Sequence, residues 1–318
     1  MPTAPTTTLN STAQTEDPYD RTVRVAGHLA AFKTINAIPL PLLTALVQEM
    51  DLLRHTSRLS APGTQKDGMC VPLRSGVGKS TAARMLVRRA AERAGTSADK
   101  GPVLYVELDV EETVSLWNAI LRALGDPYWT SGNPKNIKAR AIKYMAKRGV
   151  EIIIIDEFNH SMDRGQARFL MNTVKEILNA GIAPVVVMGT DEEIERLPTM
   201  PAFERRMVHA PEIGPISWEN SEHKKNWCGF LQGLDEGIVE LKILDATANL
   251  KRKKLAEALC DACDGVLGYA HWVVQDSLTE ALKRNGRSIE LADLAQSVNR
   301  LFVKFQIYGR VNAVEGLS

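Results

Sequence analysis

Apolar positions along the chain switch between two periods. Between residues 21 and 53 they recur at three- and four-residue steps, with Leu42, Leu43, Leu46, Val47 and Met50 on one stripe, which predicts amphipathic helix. Pro39 and Pro41 divide that region into two helices. Residues 57–68 are polar, with Pro62, Gly63 and Gly68, and predict a loop. A short apolar run over 69–73 reads as a strand, and 81–93 as a helix. Strands are predicted again at 103–108, 151–157 and 183–188, with a short one at 208–213. Helices fall between them at 113–124, 136–147 and 166–178. Four consecutive isoleucines, Ile152 to Ile155, suit a strand buried on both faces of a parallel sheet. From residue 217 onward the pattern is helical, at 217–233, 249–263, 267–284 and 290–303. Gly265 and Gly268 mark the turn between the second and third of these. No internal repeat is present.

Strands alternating with helices imply an α/β fold with a central parallel sheet. The expected organisation is a disordered tail at 1–18, rich in Thr, Ser, Pro and Ala. A helical N-terminal segment follows at 19–66, an α/β core at 67–215, a C-terminal helical lid at 216–305 and a tail at 306–318.

Candidate chemistry is concentrated at two strand ends. Ser75, Gly76, Val77, Gly78, Lys79, Ser80 and Thr81 follow the strand at 69–73 and open the next helix, the context a phosphate-binding loop requires. All seven are expected to bind nucleotide. Gly76 and Gly78 let backbone N–H groups turn towards phosphate. Lys79 would reach the β- and γ-phosphates, and the Ser80 hydroxyl would ligate Mg²⁺. The pattern departs from the full motif at Leu73, where glycine is usual. The second strand end is Asp156-Glu157. Ligands sit at the carboxyl ends of parallel strands, so Asp156 should emerge beside the phosphate loop to hold Mg²⁺, with Glu157 polarising the attacking water. Thr190 ends the strand at 183–188, where its hydroxyl either touches the γ-phosphate or caps a helix at 191–197.

Charge alters this picture only locally. Lys plus Arg total 39 and Asp plus Glu 38, a formal net charge of +1, so a nucleic-acid surface must be a patch. Arg140, Lys143 and Lys147 share one face of the helix at 136–147, and no acidic residue falls between Asn133 and Val150. A solvated helix face explains the same residues; the loop around 111–115 is the other candidate DNA surface. Cys260 and Cys263 sit at helical spacing in an apolar run with no second ligand pair, which reads as core rather than zinc or redox chemistry. No membrane span and no signal peptide are expected, so the expected location is the cytoplasm.

Phosphate loop, Asp-Glu strand, a strand ending in Gly189-Thr190, then Phe203-Glu-Arg-Arg206 and a helical lid together resemble an AAA+ P-loop ATPase. The helical N-terminal segment and the strands at 152–157 and 185–190 make the chain similar to the TniB/TnsC family of transposition ATPases, relatives of the phage protein MuB. That resemblance implies ATP and Mg²⁺ as cofactors and assembly as a ring or helical filament on double-stranded DNA. It also implies contacts with a DDE transposase and a TniQ-type target selector; some members work with CRISPR effectors. By the same resemblance Lys79 and Ser80 are the Walker A pair, Asp156 and Glu157 Walker B, and Thr190 sensor 1. Arg205 or Arg206 is the finger that enters a neighbour's site, where guanidinium geometry suits phosphate. No arginine stands near Gly265–Gly268 for sensor 2; Tyr269 and His271 are there instead. A DnaC- or IstB-like loader and a nucleotide-bound scaffold with little turnover remain open on these residues. A metabolic P-loop kinase does not need the paired arginines or the Asp-Glu strand end.

Overall fold

The computed structural model describes residues 16–35, 41–61, 63–108, 115–158, 164–190, 206–210, 214–303 and 312–317. The chain opens with α1 (Pro18–Phe32). Asp17 caps it, accepting the Tyr19 N–H, and Pro18 occupies the first turn, where its missing N–H costs nothing. Helix α1 therefore starts at the end of the stretch expected to be tail, where the capping Asp17-Pro18 pair lies. After a 3₁₀ turn (Lys33–Ile35) comes α2 (Pro41–Leu59). Next are β1 (Gly68–Pro72), α3 (Lys79–Arg93), β2 (Val103–Glu107), α4 (Leu116–Ala123) and α5 (Pro134–Arg148). They are followed by β3 (Ile152–Asp156), α6 (Arg164–Asn179), β4 (Val185–Gly189) and β5 (Met207–His209). Among the described residues four further α-helices follow, α7 (Ser221–Glu240), α8 (Lys253–Ala262), α9 (Leu267–Lys283) and α10 (Leu291–Val298).

Helix limits follow from caps rather than periodicity. Asn133 caps α5 by accepting the Asn136 N–H, Pro134 fills its first position, and Gly149 ends it at φ 69°. Ser115 caps α4 by accepting the Asn118 N–H, so the helix begins later than its apolar pattern. Helix α7 starts at Ser221, where Asn220 accepts two N–H groups, and runs through Gly229, Gly233 and Gly237 to Glu240. The expected stop near 233 fails because packing outweighs glycine's poor helix propensity. At Gly237 a Cβ would stand 2.8 Å from the Ile35 side chain; the missing side chain is what lets the 3₁₀ turn seat there.

All five strands run parallel, in the order β2-β3-β4-β1-β5. Their side chains alternate between two cores. Met69, Val71, Ile152, Ile154, Val186 and Met188 face one side, which includes α2, α3 and the C-terminal helices. Cys70, Ile153, Ile155, Val185 and Val187 face the other, with α4, α5 and α6. Burial on both faces explains the unbroken isoleucine run. Cys260 and Cys263 lie in the first core. Burial pushes the Cys70 and Cys260 thiols up to about 12, so these are packed, protonated side chains. No described group of His, Cys, Asp or Glu has the arrangement of a metal cluster.

The N-terminal helices are tied in by charge as well as packing. Buried Arg54 on α2 pairs with Asp51 at 2.7 Å and with Glu151 at the mouth of β3. Arg24 on α1 donates to the Leu282 carbonyl and Asn285 on the far end of α9. None of the described helices is long and apolar enough to cross a membrane.

Candidate functional site

The phosphate loop joins β1 to α3 at the carboxyl end of the sheet. Leu73 does not need to be glycine: positive φ falls instead on Gly76 (81°) and Gly78 (104°), the conformations that glycine adopts without steric cost. Leu73 is buried in the core, its N–H donates to the Gly189 carbonyl, and its own carbonyl accepts from Lys79. Lys79 is 4% exposed, with Nζ 3.1 Å from that carbonyl. A lysine this buried requires a polar partner, and the loop supplies it. Gly78 is the N-cap of α3, so the helix's N-terminal field adds to the loop's N–H groups.

Close approach adds to the case for Gly78 and requires glycine at one more point, Gly268. A Cβ on Gly78 would lie 2.9 Å from Leu43 of α2. Gly268 opens α9 and donates its N–H to the Gly76 carbonyl at 2.7 Å; a Cβ there would lie 2.8 Å from the Gly76 Cα. Gly268 is thus not a turn residue, as its spacing suggested. It is where a C-terminal helix touches the phosphate loop. The turn belongs to Gly265, at φ 64°.

The loop forms the floor of a cavity of about 270 Å³. Ser75, Gly76, Gly78, Lys79, Ser80, Thr81 and Glu157 give it a polar end, while Ile35, Leu43, Phe230, Leu234 and Leu267 give it an apolar wall. Val77 is not among the residues lining the cavity. Its side chain is buried in the core on the α2 and α3 side of the sheet. An apolar side chain gains more from that core than from a phosphate site, so Val77 anchors the loop and has only its backbone to offer a ligand. A polar end with glycine-lined backbone and an apolar end of aliphatic side chains fit a nucleotide's phosphates and base. His271 also lines the cavity, stacked on Phe32 with ring centroids 4.8 Å apart, and burial holds its imidazole below the usual histidine range. Tyr269 instead packs on Phe302 at 5.5 Å. The apolar wall was not legible beforehand, because its residues are ordinary core types scattered over some 230 positions of sequence.

Asp156 ends β3 almost wholly buried, at 1% exposed. Its Oδ1 accepts the Glu157 N–H at 2.9 Å and its Oδ2 accepts the Tyr105 hydroxyl at 2.6 Å. Glu157 has φ 56°, a left-handed conformation that a non-glycine residue holds at a cost of about 1 kcal/mol or more. Glu157 lines the same cavity as Lys79 and Ser80. Hydroxyl and carboxylate oxygens are the donors a hard divalent cation takes, so Ser80 and Asp156 fit Mg²⁺. Thr190 follows β4, beside Leu73 through the Gly189 hydrogen bond.

The remaining expected site residues divide. Arg205 lies outside the described residues, as do 191–197 and 203–204. Arg206 precedes β5, its carbonyl accepting the Gly68 N–H at 2.7 Å and its guanidinium donating to Gln65. That is the opposite end of β1 from the loop, roughly 16 Å away at the rise of a strand. On α5, Arg140 is engaged with its own surroundings. It lies 2.6 Å from the buried Asp126 carboxylate, an ion pair by distance rather than a well-aligned hydrogen bond, and donates to the Ser131 and Tyr128 carbonyls. Lys143 and Lys147 are exposed. The alternative DNA loop at 111–114 is outside the described residues. An exposed basic run that the sequence reading passed over, Lys251-Arg252-Lys253-Lys254, opens α8.

The model of the family described as Bacterial TniB protein matches residues 44–212, more than half of the 318-residue chain. Among solved structures the chain is similar to the Orc1 protein of Aeropyrum pernix in complex with DNA, with a TM-score of 0.57 and 15% identity, over 83% of this chain and 67% of that one. It is also similar to domain III of the Thermotoga maritima replication initiation protein DnaA, with a TM-score of 0.50 and 12% identity, over 85% of this chain and 95% of that one. At such identities the likeness shows the AAA+ fold alone. No curated protein matches the chain. All five strands, the phosphate loop and the Asp156-Glu157 strand end lie within the matched span, and the chain belongs to the TniB family.

Proposed function

We propose that the protein is an ATP-hydrolysing switch that assembles on double-stranded DNA to direct transposition. The observation that carries the reading is the convergence of Glu157, held at positive φ, with Gly76, Gly78, Lys79 and Ser80 around one cavity. Loop N–H groups and Lys79 bind the phosphates, and Ser80 and Asp156 hold Mg²⁺, which when bound would neutralise charge on the phosphate oxygens. Glu157 accepts the proton of the attacking water. Thr190 orients that water or the γ-phosphate. The apolar wall takes the base, with residues 67–215 acting as the core and 216–305 as the lid.

Arg205 or Arg206 completes the neighbour's site. Arg206 stands at the far end of the sheet from its own loop, so its charge serves another copy better than its own. Such a head-to-tail contact builds a ring or an open helix. DNA contact through Lys143 and Lys147, recruitment of a DDE transposase, a link to a TniQ-type selector and a cytoplasmic location complete the reading; family membership supports them.

The test is Glu157→Gln. Phosphate release should fall by about two to four orders of magnitude while nucleotide still binds, and the DNA-bound assembly should persist. Arg206→Ala, sized with DNA and a non-hydrolysable analogue, should bind nucleotide yet stay small if Arg206 is the finger; normal assembly moves the role to Arg205. Undiminished phosphate release by Glu157→Gln would remove the mechanism.

A further inference from the structure

The Asp156 carboxylate is shared with a residue that no part of the nucleotide motif includes. Tyr105 lies on β2, at the edge of the sheet, in register with Ile154 of β3. Asp156 is two residues further along and so shares its face of the sheet. A diagonal neighbour at that offset is within reach of a long aromatic side chain, and the phenol spans the gap. Its hydroxyl is 2.6 Å from Asp156 Oδ2, the length of a charge-assisted O–H···O⁻ bond. Arg84 on α3 lies over the ring, its guanidinium carbon 5.8 Å from the centroid. The ring is thus held between the helix that begins at Lys79 and the strand that ends at Asp156.

From this geometry we infer that Tyr105 is a positioning residue for the metal-holding carboxylate: its hydroxyl and the Glu157 N–H each take one lone pair of Asp156 and fix the direction of the rest. A carboxylate oxygen can only accept, so in this contact the hydroxyl is the donor and Asp156 the acceptor. Fixing a buried carboxylate with two donors removes the rotamer freedom it would otherwise lose on taking a cation. Outer partners of this kind are worth roughly 10–100-fold in metal affinity. Tyr105 also lines a separate cavity with Glu107, Leu108 and Arg122, so the phenol is not locked in place by burial alone.

The inference rests on Asp156 as a Mg²⁺ residue, and the experiment separates the two. Mn²⁺ affinity is measured by electron paramagnetic resonance in the presence of ADP for wild type, Tyr105→Phe and Asp156→Asn, alongside ADP affinity in EDTA. Tyr105→Phe removes only the hydroxyl and keeps the ring beneath Arg84. Its Mn²⁺ affinity should fall about tenfold with metal-free ADP affinity unchanged, a split that general loosening of the fold would not produce. Wild-type Mn²⁺ affinity in Tyr105→Phe, with Asp156→Asn impaired, overturns the role of Tyr105. An equal loss of metal-free ADP affinity overturns it too, since the residue would then be structural. Wild-type affinity in Asp156→Asn removes the site reading and this inference with it.

Discussion

The two faces of the sheet use their polar residues in opposite ways. On the face covered by α2, α3 and the C-terminal helices, glycines and charges leave a space: Gly76 and Gly268 bring backbone against backbone, Gly78 makes room for the Leu43 side chain, and Lys79 and Glu157 line a cavity. On the face covered by α4, α5 and α6, charge closes space. Arg140 ties α5 to the turn before it through Asp126 and the Tyr128 and Ser131 carbonyls, and Lys138 pairs with Glu176 of α6. A basic residue in a predicted stripe is therefore not yet a binding residue. Its partners decide, and they are visible only once the chain is folded.

Changes that close the space should have the largest effect. Gly268→Ala places a Cβ under 3 Å from the Gly76 backbone. Backbone cannot yield as a flexible side chain does, so the helix must lift from the loop at about 1–3 kcal/mol. ATP-analogue affinity should drop roughly tenfold or more. Gly229→Ala on α7, where a Cβ meets nothing, is the control and should leave affinity alone. If both variants bind alike, the contact between α9 and the phosphate loop has no part in nucleotide binding.

Removing a charge from the other face should act on stability instead. Arg140→Ala strips the buried Asp126 of its cation, leaving Oδ2 without a partner while Oδ1 keeps the Tyr128 N–H, and an unsatisfied buried acceptor costs about 1–3 kcal/mol. Denaturant midpoints should shift accordingly, with ATP affinity intact. An unchanged midpoint would mean that the Arg140 contacts are dispensable and would return it to the candidate DNA residues.

The smallest effect is expected from Lys143→Ala and Lys147→Ala, which should leave folding and nucleotide binding untouched. If they meet phosphates, each should reduce the slope of log affinity against log salt by about 0.9. Neutralising Lys251 to Lys254 in the same assay distinguishes the two basic surfaces. An unchanged slope for the α5 pair and a reduced one for the 251–254 run would move the DNA surface to α8.

How much of this could be read beforehand follows from where the information lies. The isoleucine run, the GVGKS loop and the Asp-Glu end are contiguous, and each encodes its own local geometry. That is why the strand sequence matches the structure, with each motif at the carboxyl end of its strand. Within the loop the motif does not say which way a side chain turns, and Val77 turns into the core. Leu73 looked like a defect, but the loop bends at Gly76 and Gly78, so the position never required glycine. Gly268 looked like punctuation because a glycine needed for close approach has the same letter as one needed for a turn. Tyr105 gave no signal at all: a tyrosine in a β-rich run is ordinary, and only the register with β3 brings its hydroxyl to Asp156. The apolar wall was hidden for the same reason, since Ile35, Leu43, Phe230 and Leu267 look like core until the loop is placed beside them.

The central claim is that this cavity binds ATP through the phosphate loop, and titration of a fluorescent ATP analogue into wild type and Lys79→Ala tests it most directly. Wild type should saturate. Lys79→Ala should bind roughly 10–150-fold more weakly, the loss of about 1.5–3 kcal/mol from one charge-assisted hydrogen-bonding group. Equal affinity in the two proteins would contradict the account.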